Sequence, residues 1–262
     1  MKIVVCIKQV PATNDAKIDP ETKRIVREGI KAIMNPFDTY AVEEAVQLRE
    51  KFGGEVIVLS MGPDKAMIAL REAISVGADR GILLSDRAFG GSDTWATSYA
   101  LAKAVEKIGQ VDLVICGKQA IDGDTAQVGP GIAAHLDWLQ ATYVMGVEQA
   151  TTTEIRVKRM HEDGYDICDL EFPAVMTVVK DINTPRVPTL KGRLASQKSE
   201  ITVWKPADIG ADVAKIGLDG SPTRVVKTQP PAARNTVTKV LTGTPQACAR
   251  ELVRELRLRS IL

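Results

Sequence analysis

Histidine is nearly absent from this sequence, with two residues in 262, and the four cysteines (Cys6, Cys116, Cys168, Cys248) show no CxxC spacing. A zinc centre or a thiol nucleophile therefore has no support. Cys6 and Cys116 fall inside apolar runs, where a small buried thiol is the ordinary reading. No apolar run reaches the ~18 residues that cross a bilayer. Charge of one sign is lacking too: 34 Lys and Arg against 33 Asp and Glu leave a net charge of +1, which gives no electrostatic case for nucleic acid or an anionic membrane. The phosphate loop GxxxxGK[ST], HExxH and the nucleophile elbow are all missing, so hydrolysis has no candidate and no side chain is nominated as catalytic acid, base or nucleophile. The opening MKIVVCIKQV is too short for a leader, Lys8 interrupts it, and no small-residue cleavage site follows. It reads as a buried first strand, and the expected location is the cytoplasm.

What is present suits one α/β domain with an appendage. Short β-branched or aliphatic runs at Lys2–Ile7, Glu55–Ser60, Arg80–Ser85 and Asp112–Cys116 predict strands buried on both faces of a parallel sheet. Helical segments lie between them. Asp38 is the predicted cap of a helix carrying Ala41, Ala45, Val46 and Leu48 and stopped by Gly53-Gly54. A second helix is expected from near Asp64 to Gly77, and a third from Ser92 or Asp93 with Ala96, Tyr99, Ala100, Ala104 and Ile108 on one face. This alternation predicts a doubly wound, Rossmann-like sheet. From Thr151 the pattern changes to a hairpin, Glu154–Arg159 and Asp166–Glu171 around His161–Gly164, and then to a strand at Ala174–Val179. Prolines 185, 188, 206 and 222 predict long surface connections. We divide the chain into a nucleotide-binding domain, residues 1–226, and a C-terminal extension, residues 227–262. The extension has little periodicity over about 227–244 and a terminal helix near Gln246–Arg259. That helix's apolar stripe (Ala249, Leu252, Val253, Leu256) either packs on a second protein or folds back on its own domain.

Chemistry concentrates at Gly117–Pro130, after a buried strand and before a helix, where ligands sit in parallel sheets. Gly123 permits close backbone approach, and Thr125 offers a hydroxyl and a cap to a helix whose free N–H groups suit a phosphate. Asp122 and Asp124 would repel a phosphate if they faced it, so they are expected to cap, bind ribose or point away. The alternative is a loop with polar caps and no ligand. Gly129-Pro130-Gly131-Ile132-Ala133-Ala134 matches the GxGxxA dinucleotide fingerprint, but twelve residues separate it from the strand, so the match reads as accidental.

GKQAIDGDTAQVGP (117–130) resembles the nucleotide-binding signature of the electron-transferring flavoprotein beta subunit. MNPFD at 34–38 with YAVEEA at 40–45, VCIKQV at 5–10, SMGP at 60–63, GADRG at 77–81, Pro173–Val179 and Pro185-Arg186 through Leu190 resemble the same family in the same order. The resemblance implies a fold related to adenine-nucleotide alpha hydrolases and a flavin-bearing alpha subunit as partner. By position it implies cofactor contacts from Cys6, Asn35, Asp38, Met61, Gly117, Gln119, Asp122, Gly123, Asp124, Thr125, Ala126, Gln127 and Val128. Ala126–Gly129, where AMP-binding relatives show Asn-Gln-Thr-Gly, and the stretch Ser85–Ser98, with Asp93, Thr94 and Thr97, look like the electron-bifurcating members. Those members hold FAD where the others hold AMP. The resemblance then implies NADH as electron donor, ferredoxin or flavodoxin as low-potential acceptor, and an acyl-CoA dehydrogenase-like enzyme as the other. Leu190 matches the leucine that grips the dehydrogenase. Asp166-Ile167 fits the family's hairpin signature only approximately. The alternatives are an AMP-binding, non-bifurcating carrier and, from another class, a stand-alone ATP-binding module.

Overall fold

In a computed structural model the protein is described over residues 1–12, 32–226 and 238–262. The chain divides into two units, Met1–Arg224 and Val225–Leu262. In the first, aliphatic runs and amphipathic segments alternate as strands and helices. β1 (Lys2–Cys6) is followed by a ribbon of β2 (Gln9–Pro11) and β3 (Ala32–Met34). Then come α1 (Pro36–Phe52), β4 (Glu55–Met61), α2 (Met67–Ser75), β5 (Arg80–Leu84), α3 (Thr94–Ile108), β6 (Leu113–Gly117) and α4 (Val128–Leu136). β7 (Leu139–Ala150), β8 (Glu154–His161), β9 (Gly164–Glu171), β10 (Ala174–Val178), α5 (Leu190–Lys198) and β11 (Ile201–Trp204) complete the unit.

One nine-stranded sheet results, in the order β11-β5-β4-β1-β6-β10-β7-β8-β9. It is parallel from β11 to β7 and antiparallel through the β8–β9 hairpin. Successive side chains of a strand face opposite ways, so β1 sends Ile3 and Val5 to a core shared with α1 and α2, and Val4 and Cys6 to a core shared with α3 and α4. Burial on both faces is why its sequence is unbroken and aliphatic rather than alternating. The expected doubly wound α/β sheet with a hairpin addition is the observed fold.

The sequence reading lacked the β2–β3 ribbon and three further elements. β7 is twelve residues long but mostly half-exposed and bulged against both neighbours. α5 and β11 occupy the stretch expected to be surface connection, with β11 adding an edge beside β5. Two caps also need correction. α1 starts at Pro36, whose fixed φ suits a first helical position, and its N-cap is Asn35. Asp38 lies inside the first turn with its side chain directed at Lys8, so it is not the cap. Likewise α4 begins at Val128 with Gln127 as N-cap, leaving Thr125 two residues short of the capping position.

In the second unit α6 (Pro245–Leu258) is capped by Thr244, which accepts from the Ala247 N–H at 3.3 Å. Lys239 pairs with Glu251 and Glu255 at 2.8 and 2.6 Å. None of the helix's residues is buried. Residues 227–237, most of the stretch read as aperiodic, lie outside the described residues. Among the described residues no helix is long and apolar enough to cross a membrane.

Candidate functional site

The chain builds from β1 outward through β4 and β5, then crosses by α3 to β6 on the other side of β1. That reversal opens a crevice at the carboxyl ends of β1 and β6, the usual ligand position in such sheets. Cys6 ends β1, Gly117 ends β6, and Cys6 pairs in register with Cys116. A side chain on Gly117 would strike Phe37 and the Asp38 carboxylate, so α1 closes tightly over this strand end.

Asn35 and Asp38 tie the crevice walls together. The Lys8 N–H donates to Asp38 Oδ2 at 2.7 Å, and Asn35 Nδ2 donates to Asp38 Oδ1 at 2.8 Å. Asn35 Nδ2 also reaches the Gln119 carbonyl at 2.8 Å, and its Oδ1 accepts from the Ile121 N–H at 3.1 Å. Asn35 is 0% exposed. Burial pushes the Asp38 carboxyl up to about 7, despite the opposing pull of Asn35, of the Lys8 and Gly117 N–H groups, and of the Lys8 charge. Next to it, the hydrogen bond that its thiol makes to Cys6, together with burial, pushes Cys116 well above its usual value. Cys116 is held neutral, a packing group rather than a nucleophile.

The acidic residues of the loop are occupied by protein partners. Lys8 Nζ lies 2.8 Å from Asp122 Oδ1, and the Gln119 amide donates to Asp124. Asp124 and Ala126 adopt left-handed φ values of 53° each. Such conformations persist only where the surroundings enforce them. Among the described residues no side chain caps α4, so its first N–H groups open towards the loop. Gly129 and Gly131 belong to α4 itself. A side chain on Gly129 would strike Thr177, and one on Gly131 would strike Ser98. The apparent fingerprint thus serves helix packing. Gly123 faces open space.

A second compartment of about 560 Å³ lies beyond β4 and β5, lined by Met61–Asp64 and most of Ser85–Ser92. Met61 therefore belongs here, while Cys6, Asn35, Asp38 and Gly117–Val128 form the crevice. Asp93 caps α3, accepting from the Trp95 and Ala96 N–H groups at 3.0 and 3.1 Å. Its other oxygen takes the N–H and hydroxyl of Thr223 at 3.0 and 2.9 Å. Burial raises the Asp93 pKa, but these hydrogen bonds outweigh it and hold the carboxyl below its ordinary value. Thr94 and Thr97 stand half-buried on the first turn of α3. Leu190 opens α5 and is 75% exposed; it lines neither compartment.

Sequence reasoning missed the roles of Lys8, Ser221 and Thr223. Lys8 carried a signal, a charge at the end of an aliphatic strand. Lys118, whose ammonium lies 5.0 Å from the Tyr143 ring centre and 5.9 Å from that of Phe37, directly follows Gly117. Ser221 and Thr223 carried none, because they meet Asp93 across about 130 residues of chain. Among the described residues no group of His, Cys, Asp and Glu could hold a metal ion.

The model of the electron transfer flavoprotein domain matches residues 22–209. The electron transfer flavoprotein subunit beta of Thermoanaerobacterium thermosaccharolyticum is 48% identical over the full length of both chains. The chain belongs to the electron transfer flavoprotein beta-subunit family. Subunit CarD of the caffeyl-CoA reductase-Etf complex of Acetobacterium woodii is 44% identical, again over both full lengths. Protein FixA of Azorhizobium caulinodans is 44% identical over 98% of this chain and 94% of its own. This electron transfer flavoprotein subunit therefore shares its whole length with relatives of more than one name.

Proposed function

We propose that this chain is the beta subunit of an electron transfer flavoprotein heterodimer and holds an FAD of its own in an electron-bifurcating complex. The observation that carries this reading is the pair of compartments on one sheet edge. The crevice at β1 and β6 and the cavity at β4 and β5 are separated by three strand steps or fewer, roughly 14 Å. A mononucleotide needs only the first; a dinucleotide such as FAD has a use for both.

The donor set suits such a ligand. The uncapped start of α4 offers N–H groups to a pyrophosphate, Lys8 and Gln119 engage the carboxylates that would repel it, and Met61 and Phe89 supply apolar surface in the cavity. Bound there, FAD supplies two-electron acceptance from NADH and one-electron delivery, one electron towards ferredoxin or flavodoxin and the other through the alpha subunit towards an acyl-CoA dehydrogenase-like enzyme. The protein binds, orients and shields; its residues carry no proton-transfer step. The CarD relative, named for a complex with caffeyl-CoA reductase, supports a flavoenzyme of that broad class as partner. We further assign Leu190 to that partner and the C-terminal extension to the alpha subunit.

AMP in the crevice alone is the second reading, favoured by the crevice being bracketed independently of the cavity. Nucleotide extraction from the natively purified complex decides between them. Two FAD per heterodimer are expected; one FAD with one AMP would overturn the bifurcating reading.

A further inference from the structure

Three segments that bound the crevice meet at one buried pair. Asp38 takes the N–H of Lys8, just past β1, and the amide of Asn35, and the backbone of Gly117, at the end of β6, adds to the pull that favours its ionised form. Asn35 spends its second amide hydrogen on the Gln119 carbonyl and its oxygen on the Ile121 N–H. Every polar atom of Asn35 is thus used inside the protein, and none of its surface is exposed. The donors and acceptors match in one arrangement only. An ionised carboxylate only accepts, so it can receive both N–H donors, one on each oxygen. A proton on Oδ1 would face the Asn35 amide. Turning that amide over would set its NH₂ against the Ile121 N–H and its oxygen against the Gln119 carbonyl. A proton on Oδ2 would face the Lys8 N–H instead.

We propose that Asn35 and Asp38 are positioning residues that hold the Gly117–Gln127 loop in its binding shape, and that a proton taken up by Asp38 releases the loop and weakens nucleotide binding. The inference rests on the reading of the crevice as a nucleotide site. Its charged and titratable surroundings are few. The Lys8 ammonium beyond β1 favours the ionised carboxylate and is paired with Asp122. The Cys116 thiol on β6, hydrogen-bonded to Cys6, is held neutral. Burial opposes ionisation and brings the carboxyl to about 7, within the range where cells and assays operate.

The test uses the heterodimer with its alpha subunit, freed of beta-site nucleotide, and FAD and AMP as probes at pH 5.5 to 8.5. Affinity of the wild type for its nucleotide should fall about tenfold from pH 8 to pH 6. Asp38→Asn should bind weakly and without that pH dependence. Lys8→Gln, at an exposed side chain, should move the midpoint to higher pH, which a purely structural role would not do. Amide exchange of residues 117–127, corrected for intrinsic pH dependence, should quicken as pH falls and be fast at pH 8 in Asp38→Asn. A flat wild-type affinity profile with unchanged exchange, or an unmoved midpoint in Lys8→Gln, would overturn the inference. Should neither FAD nor AMP bind the wild type at any pH, the nucleotide reading fails. The exchange profile then still judges the loop.

Discussion

A carboxylate that must ionise in the interior trades stability for shape, and Asp38 does so beneath the crevice. Its pKa is raised from 3.8 to about 7 in the folded chain. A group raised on folding contributes stability that is fully present below its unfolded value and is lost as pH rises through its folded one. For Asp38 that window runs from about pH 4 to about pH 7, and the displacement is worth roughly 4 kcal/mol. Asp38→Asn removes this dependence. In urea unfolding, the free-energy difference between variant and wild type should shift in favour of the variant by roughly 4 kcal/mol from pH 4 to pH 8. A constant difference would mean that the carboxyl titrates as a solvated one. Gly123 gives the complementary test at this scale. A Cβ there meets open space, so Gly123→Val should leave the melting temperature within a degree or two while blocking backbone approach and releasing the beta-site nucleotide. Retention of a full equivalent of nucleotide would remove the loop from the site.

Among the elements, α1 holds the connection that leads into α5. Arg186 binds Glu43 through Nε at 2.8 Å and Glu50 through a terminal nitrogen at 2.6 Å, and Asn183 donates to Glu44 at 3.0 Å. Burial raises the Glu43 pKa, but Arg186 and Gln47 outweigh it and hold the carboxyl below its ordinary value. The segment thus held ends in Val187, Leu190 and Leu194, all exposed. Arg186→Ala would strand the buried Glu43. Because the guanidinium is itself about a third exposed and partly screened, the expected loss is about 1–2 kcal/mol rather than the ~3–5 of a fully buried pair. Urea unfolding reads it, and Arg186→Lys, unable to bridge two carboxylates, should recover only part. A loss below 0.5 kcal/mol would show the clamp to be ornamental to stability. The same contrast between local and distant causes explains what could be read beforehand. β1, β4, β5 and β6 announce themselves as short aliphatic runs, and α1 ends at Gly53, whose N–H returns to the Arg49 carbonyl. β7 gives no such signal because much of it is half-exposed, and β11 has four residues between polar neighbours. In the site, the loop after β6 was legible from its place between strand and helix. The true partner of Asp38 was not, since Lys8 lies 30 residues back and a capping role satisfies the same local pattern.

For the whole molecule, the distribution of burial sets the two units apart. Both hydrophobic cores lie between Ile3 and Ile216, whereas α6 buries none of its residues. Fourteen residues with two ion pairs to Lys239 make a marginal helix in isolation. Leu252 and Val253 stand exposed on it, 49% and 41% accessible. An uncovered amphipathic face of this kind gains stability by burial against another surface, and we assign that surface to the alpha subunit. A chain ending at Arg224 keeps every residue of the crevice and the cavity together with both cores. It should unfold cooperatively with a midpoint close to that of the full chain, yet fail to co-elute with the alpha subunit at micromolar concentration. Folding back of the extension on its own domain predicts the reverse: the shortened chain would lose several kcal/mol in urea and still bind alpha. Measuring both quantities on the same shortened chain separates the two accounts, because each moves the one that the other leaves unchanged.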